Sequence, residues 1–111
     1  MPAIDVNALV GQLTGAVNTA IGQDVTQVQG FAQAQMQALA QQGALVASGI
    51  ASGQIGPDLE PFFLDSLKTM ARNLVNVLKG LAAVMLEKAW NALVGALWSA
   101  IGGAIGRVLP A

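Results

Sequence analysis

Apolar side chains recur every eleven residues along the first half of the chain. The residues in this register are Val6, Val17, Val28, Leu39 and Ile50. Eleven residues fill three turns at about 3.67 residues per turn, close to the 3.6 of an α-helix. The spacing predicts one continuous helix over about residues 4–53 with an apolar stripe on one side. We expect Val17, Val28 and Leu39 to pack between copies of the chain, and the same stripe also suits a helix lying on a lipid surface.

The opposite side of this predicted helix is polar but almost uncharged. It carries Gln12, Gln23, Gln27, Gln33, Gln37 and Gln41. No ionisable side chain occurs in the 33 residues from Val25 to Pro57, whereas exposed helices normally carry Glu and Lys. Such a face suits packing against identical neighbours or lining a water-filled lumen. Gln-rich tracts are often flexible linkers, but the persistent eleven-residue register favours a helix.

A second long helix is predicted after a break in the chain. A glycine ends the first helix, a proline cannot continue it, and an aspartate then offers an N-cap side chain. These residues are Gly56, Pro57 and Asp58. The second helix is predicted over about residues 59–106, which divides the chain into an Ala/Gln-rich segment, 1–56, and a second segment, 57–111. The sequence leaves open whether the two helices form a hairpin or one bent rod.

The first part of the second helix combines a narrow polar stripe with a broad apolar side. The stripe comprises Asp65, Lys68, Arg72, Asn76 and Lys79 at helical spacing. Two interpretations stay open. The apolar side packs against the first helix, or the helix lies in a membrane interface with its basic stripe toward anionic headgroups.

The second helix then runs into 18 residues without a charge, 89–106. A helix that is apolar all round needs protein or lipid on every side. Its length of about 27 Å barely reaches across a hydrocarbon core of roughly 30 Å. Trp90 and Arg107 near its ends suit anchoring at two interfaces, whereas Trp98 lies in the middle. The candidate membrane-interface residues are Lys68, Arg72, Lys79, Trp90, Trp98 and Arg107.

Small residues recur every four positions in this uncharged segment. They are Gly95, Ser99 and Gly103 on one line, and Gly102 and Gly106 on another. Small residues at this spacing form a glycine zipper, in which backbones approach closely and helices associate in lipid. The pattern predicts a homo-oligomeric helical bundle or tube, although a helix buried inside a water-exposed protein has the same signature.

The composition of the chain also favours association with other molecules. Apolar residues make up 54% of the chain and charged residues 10%, against about 25% charged in typical domains. The net charge of −1 provides little repulsion between copies. We therefore expect binding to itself, to a lipid bilayer or to other hydrophobic subunits. The start of the chain lacks a basic segment, so no cleaved signal peptide is predicted.

The residue types required for most enzyme chemistry are missing. The chain has no His, Cys or Tyr, and its six carboxylates are scattered, which argues against acid–base, nucleophilic and zinc chemistry. No phosphate-binding loop motif occurs. Few aromatic residues and a slightly negative charge argue against sequence-specific nucleic-acid binding. We predict a protein that is not an enzyme and has no cofactor or metal.

An Ala/Gln-rich helix, AQAQMQALAQQ at 32–42, is followed later by the hydrophobic end ALVGALWSAIGGAIG at 92–106. In composition and arrangement the chain resembles small virion-internal or DNA-ejection (pilot) proteins of bacteriophages. The resemblance implies a membrane-associated channel subunit or virion protein that touches nucleic acid only passively. A pore-forming toxin or bacteriocin-like protein is an alternative, although these usually carry more positive charge. A third class is a soluble helical scaffold module.

Overall fold

The computed structural model describes residues 4–107 and 109, and all of its regular structure is helical. The helices are α1 (Val6–Ile21), α2 (Gln33–Ala51), α3 (Glu60–Asn76) and α4 (Ala83–Ile105), with a short 3-10 turn at Val25–Gln27. The prediction of an all-α protein is confirmed. The two predicted long helices are each interrupted, at residues 22–32 and 77–82, so the described chain contains four α-helices.

The first interruption begins at Gly22, which ends α1 in the left-handed conformation with φ 70°. The backbone N–H of Val25 then donates to the Asn18 side chain at 2.7 Å, and Asp24 accepts from the backbone N–H of Thr26 at 3.0 Å. Val25 is fully buried. The apolar register of the sequence therefore continues through this connection as a pattern of burial, although the helix itself stops.

The second interruption lies against the first. The backbone N–H of Lys79 donates to the carbonyl of Gln29 at 2.8 Å, and a Cβ atom on Gly30 would overlap the carbonyl oxygen of Val77. Gly80, with φ 81°, provides the reversal before α4. Both connections thus meet at one end of the molecule, so consecutive helices run in opposite directions.

The break predicted at Gly56-Pro57 lies between α2 and α3, but the N-cap residue of α3 is not the predicted one. Gly56 accepts backbone hydrogen bonds from Leu59 and Glu60, each at 3.0 Å. Leu59 occupies the N-cap position of α3 and provides no side-chain cap. Asp58 was predicted to be this cap and lies one residue too early, because the Gly56 carbonyl already organises the turn.

The four helices form an up-down-up-down bundle measuring 42 × 24 × 21 Å. Helix α4 packs against each of the other three helices, whereas α1 and α3 lie at opposite corners. Leucine, valine and methionine side chains from both halves of the chain share one core. Val17 and Leu39 are fully buried in that core and Val28 is 9% exposed. These three residues were expected to contact other copies, and in this fold their own bundle already covers them.

Candidate self-association surface

Helix α4 has two sides that differ in side-chain size. Its inward side carries Ala89, Leu93, Val94, Leu97, Trp98, Ile101 and Gly102, all buried. Its outward side carries larger exposed residues near the start of the helix, including Val84, Glu87 and Lys88. Further along the helix the exposed residues are small or weakly polar, and they are Asn91, Gly95, Ser99 and Gly103. The uncharged segment is therefore covered by protein on its large-residue side and open on its small-residue side.

The glycines of this segment have different surroundings. A Cβ atom built on Gly95 or Gly103 meets nothing within 4 Å. A Cβ atom on Gly102 would lie 2.6 Å from the backbone oxygen of Arg107, since the chain folds back over the helix end there. Gly106 ends α4 with φ 79°. Gly95 and Gly103 are thus free for contact with another molecule, whereas Gly102 and Gly106 shape the end of their own helix.

The exposed glycines border an open groove of about 580 Å³ at the carboxyl end of α4. Trp98 contributes to its wall and is only 6% exposed. The remaining wall is formed by small residues and the turn after the helix. The lining residues are Gly95, Trp98, Ser99, Gly102, Gly103, Gly106, Arg107 and Leu109. Because the side chains here are short, a second helix could bring its backbone unusually close to that of α4.

The two tryptophans and two of the basic residues are paired between α3 and α4. The guanidinium carbon of Arg72 lies 4.0 Å from the ring centroid of Trp90, and Lys68 Nζ lies 6.0 Å from the ring of Trp98. Each such contact contributes roughly 0.5–1 kcal/mol at an exposed site. Four of the six predicted membrane-interface residues thus contact one another within the bundle.

Neither indole N–H of these tryptophans has a hydrogen-bond partner among the residues that the structure describes. Both Nε1 atoms of Trp90 and Trp98 are buried. An unpaired buried donor of this kind costs on the order of 1–3 kcal/mol. The α3–α4 contact therefore depends on apolar burial and on the cations above the rings.

The other two predicted interface residues lie apart. Lys79 is exposed in the connection between α3 and α4. Arg107 forms an ion pair with Glu60 that joins the end of α4 to the start of α3. The Glu60 side chain is 13% exposed and that of Arg107 is 49% exposed. Glu60 was not predicted as a partner, because only a hairpin arrangement of α3 and α4 brings the two residues together.

No described helix has the length and apolar content needed to cross a bilayer. Within residues 4–107 and 109, no group of three carboxylate, His or Cys side chains is placed to hold a metal ion. No family model matches the chain, and comparison with curated proteins and with solved structures gave no significant match.

Proposed function

We propose that this protein is a non-enzymatic structural subunit that assembles with copies of itself through the outward side of α4. The single observation that carries the proposal is the open, uncharged line of Gly95, Ser99 and Gly103. Small residues at four-residue spacing let two helix backbones approach and gain many dispersion contacts. A helix that needed only to face water would more commonly carry charged or long polar side chains there.

The low charge of the neighbouring surfaces supports a crowded assembly. The exposed side of α2 carries Gln33, Gln37 and Gln41 and lacks charge along its whole length. Copies could therefore pack side by side with little electrostatic repulsion. We propose that this Gln-rich side faces neighbouring copies or an aqueous lumen.

The resemblance to phage DNA-ejection proteins implies one form of this assembly, a membrane-associated conduit. In the folded bundle, its contact with anionic lipid would use the exposed basic residues Arg72, Lys79 and Lys88. A second candidate is a scaffold module that assembles without lipid. The burial of Leu93, Leu97 and Ile101 inside the bundle favours this second candidate, because these side chains are already removed from water.

The test is the substitution Gly95→Leu, with Gly11→Leu in α1 as its matched control. Both glycines lie in helices, and a Cβ atom on either meets nothing within 4 Å. Replacing a helical glycine stabilises the monomer by about 0.5–1 kcal/mol. We expect both variants to keep or raise the thermal midpoint, and only Gly95→Leu to weaken self-association in sedimentation velocity.

The combination of a stable monomer and a weaker oligomer cannot arise from misfolding. An unchanged mass distribution for Gly95→Leu would contradict the proposal, and so would an equal loss in the Gly11→Leu control. Repeating the measurement with liposomes of anionic and of zwitterionic lipid separates the membrane-associated assembly from the lipid-independent scaffold. Dye release by the isolated protein would support the toxin-like alternative instead.

A further inference from the structure

Charges of opposite sign are collected at the two ends of the α3–α4 hairpin. Three carboxylates lie between residues 58 and 65, at the start of α3, and the ion pair of Glu60 with Arg107 leaves Asp58 and Asp65 as the carboxylates of this group without an ion pair in the described residues. Three cations and one carboxylate lie between residues 72 and 88, around the α3–α4 connection. We name the first group the acidic end, with Asp58, Glu60 and Asp65. We name the second the basic end, with Arg72, Lys79, Lys88 and the single carboxylate Glu87.

The outer charges of the two ends are too far apart to neutralise each other within one molecule. The 17 residues of α3 extend over about 25 Å at 1.5 Å per residue, about three times the Debye length of about 8 Å at physiological ionic strength, so Asp58 and Lys79 hardly interact. Asp65 and Arg72 lie closer, about 10 Å apart along the helix, and therefore screen each other in part. Part of the arrangement complements the α3 dipole, which favours carboxylates at its start and cations after its end. The dipole gives no reason for large apolar side chains to be exposed at the same places.

Such apolar side chains are present at both ends. Five large hydrophobic residues are exposed in the described part of the chain, and four of them lie beside these charges. Leu59 and Phe62, which are 53% and 68% exposed, lie at the acidic end. Val77 and Val84, which are 39% and 60% exposed, lie at the basic end. Each end therefore combines an apolar patch with a net charge, negative at one end and positive at the other, and the signs are complementary.

We propose that the acidic end of one copy binds the basic end of the next. This contact is head-to-tail, so each copy keeps one free end and the interaction extends into a chain. It uses residues other than Gly95 and Gly103 and goes beyond the contact proposed for α4. The bundle cross-section of 24 × 21 Å limits the contact to about 500 Å² per copy, below the roughly 800 Å² of a stable standard interface. The head-to-tail contact is therefore weak and salt-sensitive by itself, and a lateral contact through α4 would reinforce it.

The first measurement is sedimentation velocity of the full chain at about 50 mM and 500 mM NaCl. We expect the apparent dissociation constant to rise about tenfold at the higher salt, because two or three partly exposed ion pairs are screened. The experiment is repeated in the Gly95→Leu background. If the Gly95→Leu variant still associates in a salt-dependent way, that association is due to the head-to-tail contact and not to the α4 contact. Each proposal can therefore fail without the other.

The decisive test reverses the charge of one end at a time. The first variant combines Asp58→Lys with Asp65→Lys, and the second combines Lys79→Glu with Lys88→Glu. All four side chains are exposed and none is engaged in an ion pair within the described residues. Each variant alone then carries the same charge sign at both ends, and we expect its salt-dependent association to be lost. An equimolar mixture of the two should associate again, since every contact in it joins a positive end to a negative one.

Recovery in the mixture also shows that both variants are folded, because unfolded chains would not restore a specific contact. Failure of the mixture to associate, or salt-independent association of the natural chain, would overturn the proposal. An anionic membrane is the competing occupant of the basic end. Flotation of the natural chain with phosphatidylglycerol vesicles, accompanied by loss of its head-to-tail association, would assign the basic end to lipid and overturn the proposal as well.

Discussion

The contact between the two connections at one end of the bundle can be tested at Gly30. This glycine has φ 94°, and an added Cβ atom would overlap the carbonyl oxygen of Val77. The substitution Gly30→Ala therefore imposes two penalties. A left-handed alanine costs about 1–2 kcal/mol. Because the overlap moves the two connections apart, the hydrogen bond from Lys79 to Gln29, which contributes about 0.5–1.5 kcal/mol, and the local packing are also lost.

The matched control is Gly80→Ala in the facing connection. Gly80 has φ 81°, but a Cβ atom there meets nothing within 4 Å. It carries the conformational penalty without the overlap, and the gain from a less flexible unfolded chain is the same for both alanines. We expect the free energy of unfolding to fall by about 3 kcal/mol for Gly30→Ala and by about 1 kcal/mol for Gly80→Ala.

The measurement is thermal and urea unfolding followed by far-ultraviolet circular dichroism. For a chain of this size, about 1 kcal/mol corresponds to a shift of roughly 4 °C in the midpoint. The expected shifts are thus about 12 °C for Gly30→Ala and about 4 °C for Gly80→Ala. Equal shifts for the two variants would refute the contact between residues 30 and 77. A rise in the midpoint for both alanines would instead indicate continuous helices at these positions, because alanine stabilises a helix relative to glycine.

Two further predictions concern the core and the first connection. Leu97→Ala should lower the free energy of unfolding by about 2–5 kcal/mol, because Leu97 is fully buried. Leu45→Ala, at a site that is 66% exposed, should change it by less than about 0.5 kcal/mol. Similar losses for the two variants in denaturant titrations would contradict the assignment of the core. The hydroxyl and backbone N–H of Thr26 lower the pKa of Asp24 below its ordinary value of 3.8. The stability that this carboxylate contributes is present above its unfolded pKa and is lost as pH falls through the lower folded pKa. The free energy of unfolding should therefore fall between about pH 5 and pH 2, and it should fall less in Asp24→Asn than in the natural chain. Identical pH dependence in the two proteins would show that the Asp24–Thr26 contact contributes nothing to stability.

The sequence predicted the helical class and the break at Gly56-Pro57 because both depend on local chemistry. Proline lacks the backbone donor that would continue a helix, and the glycine before it tolerates the turn. The other two interruptions were not predicted. The eleven-residue apolar register runs through the first, and the polar stripe of the second predicted helix continues to Lys79 in the other. Val25 and Val28 are buried from the connection itself, so a periodic pattern of burial does not require a continuous ladder of hydrogen bonds.

Local signals for these interruptions are nevertheless present. Gly22 followed by Asp24 combines a helix-ending glycine with a residue that caps a new turn, and Lys79 followed by Gly80 is typical of a helix end. These short signals compete with periodicity measured over many residues. Whether the helix stops at these signals depends on whether the chain buries more apolar surface by folding back than by continuing as one helix. A local sequence pattern does not contain that information.

The candidate surface on α4 was predictable in position but not in detail. The four-residue spacing identifies Gly95, Ser99 and Gly103 without any structure. The different role of Gly102 depends on the backbone of Arg107 turning back over the helix end. The pairing of Arg72 with Trp90 likewise needs the antiparallel arrangement of α3 and α4, and the sequence left that arrangement open.

The side chains of the uncharged segment are distributed by size around the helix. Every residue from 89 to 106 lacks charge, which on composition alone requires cover on all sides. Glycine, alanine and serine, however, bury so little apolar area that exposing them to water costs little. With Leu93, Leu97 and Ile101 directed into the bundle and Gly95 and Gly103 directed outward, the helix is amphipathic by side-chain size. Its outward side has little hydrophobic attraction of its own, so each contact between copies would be weak and would gain strength from close backbone approach repeated across many copies.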